Sequence, residues 1–183
     1  MSMEFSRRSF LKYSALTAVA VAGSGLLSGC ELFGTNQPVG KAGDTLSLEG
    51  AHKLENPVYN PLTSTLTCDL TIKCTSTNGL SLRPERFEVV VTSADGKTTT
   101  TYNPLGTKNN AVKLTQAYGV INKGETKTSQ LVVEGITIQK DDTVAVKFWP
   151  RNFATVTGDP YQDIYATWVL QNAAKKIDTI TTV

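Results

Sequence analysis

Between Thr65 and Thr75 every second residue is apolar: Leu66, Cys68, Leu70, Ile72 and Cys74 alternate with Thr65, Thr67, Asp69, Thr71, Lys73 and Thr75. Successive side chains of an extended strand point to opposite faces. A repeat of two therefore puts the apolar set on one buried face and the polar set in water. Such a strand needs a second layer to cover its apolar side, which constrains the whole chain toward packed sheets. The two cysteines share the buried face. They stand ~20 Å apart along an unbroken strand, whereas a disulfide needs Cα atoms within ~7 Å. They are read as small apolar core residues with free thiols. A bridge would require the chain to reverse between them, and a metal role would require further ligands.

The same β character runs through most of the chain from Asp44 onward. Thr occurs 25 times after Cys30, mostly among Val, Ile and Leu, which is strand composition. Thr45 to Glu49 reads as a first short strand, and Asn56-Pro57 with Asn60-Pro61 as a loop. Arg86 to Thr92 is a strand with Phe87, Val89 and Val91 inward. Asp95-Gly96 turns it into a second strand, Lys97 to Tyr102. Tyr118 to Ile121, Thr126 to Glu134, Thr143 to Trp149, Ile164 to Leu170 and Ile177 to Thr182 supply the remaining strands, and Gln171 to Lys176 could hold one helical turn. Roughly seven to nine short strands with frequent turns imply an all-β, antiparallel, immunoglobulin-like sandwich, expected over residues 44–183.

The N-terminus carries an address. Ser6-Arg7-Arg8-Ser9-Phe10-Leu11-Lys12 resembles the twin-arginine export motif, with Arg7, Arg8, Phe10, Leu11 and Lys12 at its usual positions. The uncharged run from Tyr13 to Leu27 is shorter than the ~20 residues a spanning helix needs, as expected of a removable signal. Leu27-Ser28-Gly29-Cys30 resembles a lipobox. That resemblance implies that the Cys30 thiol receives diacylglycerol and that cleavage before it leaves residues 1–29 behind as the signal peptide. Two acyl chains anchor durably. The translocase, the lipoprotein processing enzymes and the bilayer itself are the implied partners, on the extracytoplasmic face of the cell membrane. An ordinary secretory signal is the alternative reading of Arg7 and Arg8, and Ala18-Val19-Ala20 or Ala20-Val21-Ala22 offers an alternative cleavage site. Residues 30–43, with Gly34, Pro38, Gly40 and Gly43 and no apolar periodicity, read as a lipidated tether. If flexible, it reaches on the order of 20 Å.

Removal of the signal takes Arg7, Arg8, Lys12 and Glu4, leaving fifteen residues of each sign. The net charge of +2 thus belongs to the signal. The mature chain has no electrostatic footprint for nucleic acid and no basic run to hold an anionic surface. Twin-arginine substrates characteristically fold before export in a reducing compartment, which agrees with two free thiols.

Four stretches resemble a family of uncharacterised secreted and lipoprotein domains related to the mycobacterial immunoprotective extracellular antigen. They are Gly43-Asp44-Thr45, the alternating strand before Asn78, Leu80-Ser81-Leu82-Arg83-Pro84 through Phe87 and Val89 to Ala94-Asp95-Gly96, and Gly119 to Glu125 leading on to Val144 and Phe148. The likeness spans about residues 43–150. It implies an immunoglobulin-like sandwich and carries over no established enzymatic activity.

Chemistry-bearing residues are sparse. His52, the one histidine, reads as a surface or otherwise satisfied residue, and no serine sits in a nucleophile-elbow context. One His and two distant cysteines do not make a zinc site, so no metal, cofactor or catalytic residue is assigned. Asp141-Asp142, Asp159 and Asp163 read as turn residues. Paired as acid and base, such carboxylates would make a small envelope hydrolase, the alternative function. The ligand-site candidate is the aromatic segment around Trp149, Arg151, Phe153 and Tyr161. Trp149 has outward parity, and an exposed ring there would stack on a glycan or anchor an envelope protein. Packing against the sheet is the competing reading of the same rings. A non-catalytic envelope module is the favoured function.

Overall fold

The structure, a computed structural model, describes residues 37–104, 111–150, 164–171 and 180–183. Among these lie thirteen strands: β1 (Val39–Lys41), β2 (Thr45–Ser47), β3 (Gly50–Asn60), β4 (Thr65–Cys74), β5 (Leu80–Leu82), β6 (Phe87–Thr92), β7 (Thr99–Tyr102), β8 (Val112–Leu114), β9 (Tyr118–Ile121), β10 (Thr126–Glu134), β11 (Thr143–Phe148), β12 (Ala166–Gln171) and β13 (Thr181–Thr182). A single 3₁₀ turn, Pro84–Arg86, leads into β6.

Two sheets face each other. One runs β13-β3-β4-β10-β8 and the other β1-β12-β11-β6-β7, with β5 and β9 forming a separate pair. The chain crosses between the facing sheets after β1, β4, β7, β10 and β12, with β2 paired to β3. With β3, β4, β10 and β8 in one layer and β12, β11, β6 and β7 in the other, this is the strand order of an immunoglobulin-like sandwich. These eight strands are the expected body of the fold. The other five, each of two to four residues, sit at its edges and one end.

The alternation of β4 is realised in full. Leu66, Cys68, Leu70, Ile72 and Cys74 are buried, against Val89, Val91, Val144, Val146, Phe148, Trp168 and Leu170 among the other buried residues of the same core. Burial of Leu- or Val-sized side chains contributes about 1.5–3 kcal/mol each, so this inner layer holds the sheets together.

Three expectations are corrected. First, Asn56-Pro57 is no loop but a bulge inside the eleven-residue β3. Glu55 pairs with Asp69 and Val58 with Thr67, so Asn56 and Pro57 together face Cys68. A bulge tolerates proline, which cannot donate to the ladder, and Asn56 takes the left-handed conformation (φ 49°) that Asn accepts more readily than most residues. Its amide donates to Asp69 Oδ2 at 2.9 Å. Inward positions consequently change from Gly50, His52 and Leu54 to Pro57 and Tyr59. Asn60-Pro61 is a true turn, with Asn60 Oδ1 accepting the Leu62 and Thr63 N–H groups. Second, the segment expected to be wholly tether already joins the sandwich. Pro38 O accepts the Thr167 N–H at 2.9 Å, and β1 pairs in parallel with β12, Val39 opposite Thr167. Third, Val112–Leu114 forms β8 against β10, a strand too short for its alternation to stand out.

The sandwich has two distinct ends. Val39, Gly50, Cys74, Phe87, Phe148 and Ala166 lie toward one, the entry end. Asn60, Thr65, Thr92, Glu134 and Thr143 lie at the far end.

Candidate functional site

Trp149 follows β11 immediately, and its parity is outward, as expected. It is not open, however: only 4% of it is exposed. Its ring lies 4.8 Å from that of Tyr165, tilted by 39°. Lys147 Nζ stands 5.4 Å from the centre of the Tyr165 ring and 3.1 Å from Glu88 Oε1. The backbone is fixed as well. Trp149 N–H donates to Arg86 O at 3.0 Å, and Pro150 O accepts from Ser81 N–H. Neighbouring β12 is buried on both faces, Thr167 and Val169 included. In this arrangement Trp149 is a packing residue, and a sugar could stack on it only after rearrangement. Arg151, Phe153 and Tyr161 lie outside the described residues. So do Arg7, Arg8, Phe10, Leu11, Lys12, Leu27, Ser28, Gly29 and Cys30, and the carboxylates Asp159 and Asp163.

His52 is the largest departure from the sequence reading. It is fully buried in β3, opposite Ile72 and Leu46. Nε2–H donates to Leu48 O at 2.7 Å, while Nδ1 has no hydrogen-bond partner among the described residues. The ring meets Phe148 of the facing sheet edge-on at 5.3 Å. Burial pulls the imidazole down to about 4, with the Leu48 carbonyl opposing, so it is neutral at ordinary pH. A neutral ring whose free nitrogen faces an apolar core is a joint between sheets. Gly50 makes room for it: a Cβ there would run into the Lys73 carbonyl and the imidazole.

Cys68 and Cys74 are buried and unbridged. Burial, with the neighbouring Asp69 charge, pushes the Cys68 thiol far up, which suppresses the nucleophilic thiolate. Cys74 Sγ–H donates to Ser76 O at 3.4 Å.

The described carboxylates serve local structure. Asp142 accepts the Gln139 N–H at 2.8 Å in the turn where Asp141 takes φ 68°. Asp69 receives the side-chain amides of Asn56 and Gln130, tying β3, β4 and β10 across the outer face. The Ser93 hydroxyl and Lys97 N–H hold Asp95 below the usual carboxylate range, and the Asn122 N–H does the same for Glu125. Both close turns. Among the described residues no group of three or more His, Cys, Asp and Glu could hold a metal ion.

One grouping was invisible in the sequence. At the entry end, β5 pairs with β9. Gly79 turns the chain with φ 72° and a Cβ on it would touch Val120, which is 66% exposed. Arg83 Nη2 lies beside Gly119, 3.4 Å from where a Cβ would stand. The turn carrying Lys123 is bonded to the end of β4 through Gly124 N–H and Cys74 O, 2.8 Å, next to exposed Lys73. Lys127 is held between Glu125 and the Tyr118 ring. Positions more than forty residues apart thus share one surface.

No family model matches the chain, and no curated protein matches it. Among solved structures it is similar to the YjhA protein from Bacillus subtilis, at 13% identity over 72% of this chain and 98% of that one, with a TM-score of 0.45. It is also similar to the archaellum periplasmic stator protein FlaG from Sulfolobus acidocaldarius (6% identity, 66% and 99% covered, TM-score 0.39). An uncharacterized β-sandwich protein from Clostridium difficile is a third (13% identity, 78% and 100% covered, TM-score 0.36).

Proposed function

We propose that this chain is a lipoprotein exported by the twin-arginine route, anchored through acylated Cys30 on the extracytoplasmic face of the membrane, and that its sandwich is a non-catalytic binding or structural module of the cell envelope. One observation carries the reading. The Arg7-Arg8-Ser9-Phe10-Leu11-Lys12 motif and the Leu27-Ser28-Gly29-Cys30 box stand just ahead of a sandwich whose first strand opens at Val39. Two acyl chains on Cys30 would hold that domain durably at a bilayer. The likeness to secreted antigen-related domains supports the same reading, and a protein or glycan of the envelope is the ligand class.

Replacing Cys30 with Ala is expected to move the protein from the detergent phase to the aqueous phase on detergent partition. Retention in the detergent phase would refute acylation. Replacing Arg7 and Arg8 with Lys should leave the chain in the cytoplasm, measured by fractionation.

A further inference from the structure

We infer that the entry end of the sandwich, the surface bearing Arg83, Lys123, Lys73 and Val120, rests on anionic phospholipid headgroups of the membrane that holds the anchor. The inference builds on the proposed acylation of Cys30.

Chain geometry supplies the first argument. Pro38 is bonded to Thr167 and Val39 to the same β12 row, level with Lys147 and one residue from the entry end. Residues between Cys30 and Val39 can span at most ~30 Å when fully extended. The eleven residues of β3 cover roughly the same length at ~3.3 Å each. An orientation with the far end on the membrane would therefore need nearly the whole linker stretched along the domain. With the entry end down, the linker can stay slack.

Charge supplies the second. Arg83, Lys123 and Lys73 are exposed and enter no salt bridge among the described residues, whereas the acids of this end are exposed Glu85, half-buried Glu49 bonded through its carbonyl to Thr75 and Ser76, and Glu125, which pairs with Lys127. At the far end Lys97 pairs with Asp95 and Lys113 with Glu134, while Lys140 enters no salt bridge and adjoins Asp141. Among the described residues the larger group of exposed cations outside salt bridges therefore lies at the entry end. Val120, exposed on the same strand as Gly119 and next to Gly79, offers an apolar contact for the interface. Leu62, 92% exposed on the Asn60 turn, marks the opposite end and faces away from the bilayer.

The test begins with the chain from residue 30 carrying Cys30→Ser, so that acylation plays no part. Phosphatidylcholine vesicles with and without phosphatidylglycerol are the probe. The expected result is flotation with the anionic vesicles, reversed by high salt. The Arg83→Glu/Lys123→Glu pair should weaken partitioning at least about tenfold, and Lys97→Glu/Lys140→Glu should leave it unchanged. Equal binding to neutral vesicles, or equal loss from both charge reversals, overturns the inference. A second measurement uses the acylated protein in the anionic vesicles with a spin label at Val120→Cys or Leu62→Cys. The label at 120 should be shielded from a water-soluble relaxer and the label at 62 open to it. The reverse pattern, or two open labels, overturns the proposed orientation. Absence of acyl mass on Cys30 would remove the anchor alone, and the vesicle measurement would still decide whether this surface binds anionic lipid.

Discussion

The two sheets present similar apolar inner faces to each other but differ on their outer faces. The sheet built on β3, β4 and β10 carries rows of half-exposed Thr, Asn, Asp and Gln, joined by Asn56, Asp69 and Gln130. In the sheet built on β11 and β12 the outward positions Trp149, Thr167 and Val169 are buried as well. A strand with one wet face announces itself by alternation, whereas a strand covered on both sides reads as a continuous apolar run. An outward-facing aromatic residue therefore has a different meaning on each sheet: a ligand platform on the first, a packing residue on the second.

The strongest test of that contrast is Trp149→Ala beside Thr67→Ala. Loss of the buried indole should cost about 3–5 kcal/mol, and loss of the half-exposed threonine should stay within about 0.5 kcal/mol, both from urea denaturation. A Trp149→Ala protein of parental stability would restore the view of this ring as a surface for ligands.

The second test addresses the joint where the sheets meet. His52 has its folded value lowered to about 4, against about 6.5 for an unperturbed imidazole. Between those values the unfolded chain binds the proton and the folded chain does not. Stability contributed by the neutral ring is therefore intact above pH 6.5 and is lost as pH falls toward 4. The loss amounts to about 3 kcal/mol across the window. Carboxylates also titrate in its lower part, so the informative quantity is the difference in pH dependence between the parent and His52→Leu. Identical slopes would show that the ring charges without opening the core.

A smaller effect compares equivalent apolar positions on the outer faces. Val169→Ala on β12 should cost about 2 kcal/mol, whereas Val132→Ala on half-exposed β10 should cost about 0.5 kcal/mol or less. Equal costs would mean that the two faces are covered alike.

The same contrast explains what could be read from the residues alone. β4, β10 and the turn at Asp95-Gly96 were legible because local chemistry decides them: an amphipathic repeat, and a glycine at φ 71°. Free, buried Cys68 and Cys74 followed from their parity. β3 was not legible: Gly50 to Glu55 carries no alternation that stands out, and beyond it a bulge breaks the repeat and its proline mimics a loop. Burial of Trp149 and His52 depends on partners distant in sequence, Tyr165 for one and Phe148 for the other. The basic cluster at the entry end has no signature in the sequence because no two of Lys73, Arg83 and Lys123 are near neighbours along the chain.

The bulge in β3 has a reach beyond its own strand. It brings Tyr59 to the inner side, where its hydroxyl donates to Ile136 O and receives the Ile138 N–H, both at 3.3 Å. Tyr102 receives the Thr137 N–H between them. Those bonds clamp the loop that carries the chain from one sheet to the other. The clamp therefore depends on the bulge as well as on the side chains it positions. A variant that kept all eleven residues of β3 but straightened the strand would turn Tyr59 to the solvent side and release the crossing loop. Loss of Asn56 or Pro57 would instead absorb the bulge, make the alternation regular and leave Tyr59 facing inward opposite Leu66. The extra residue is a spacer whose effect is cancelled by its own removal, so the segment should accept the loss of one residue at the bulge far more readily than the loss of one residue anywhere else in the strand.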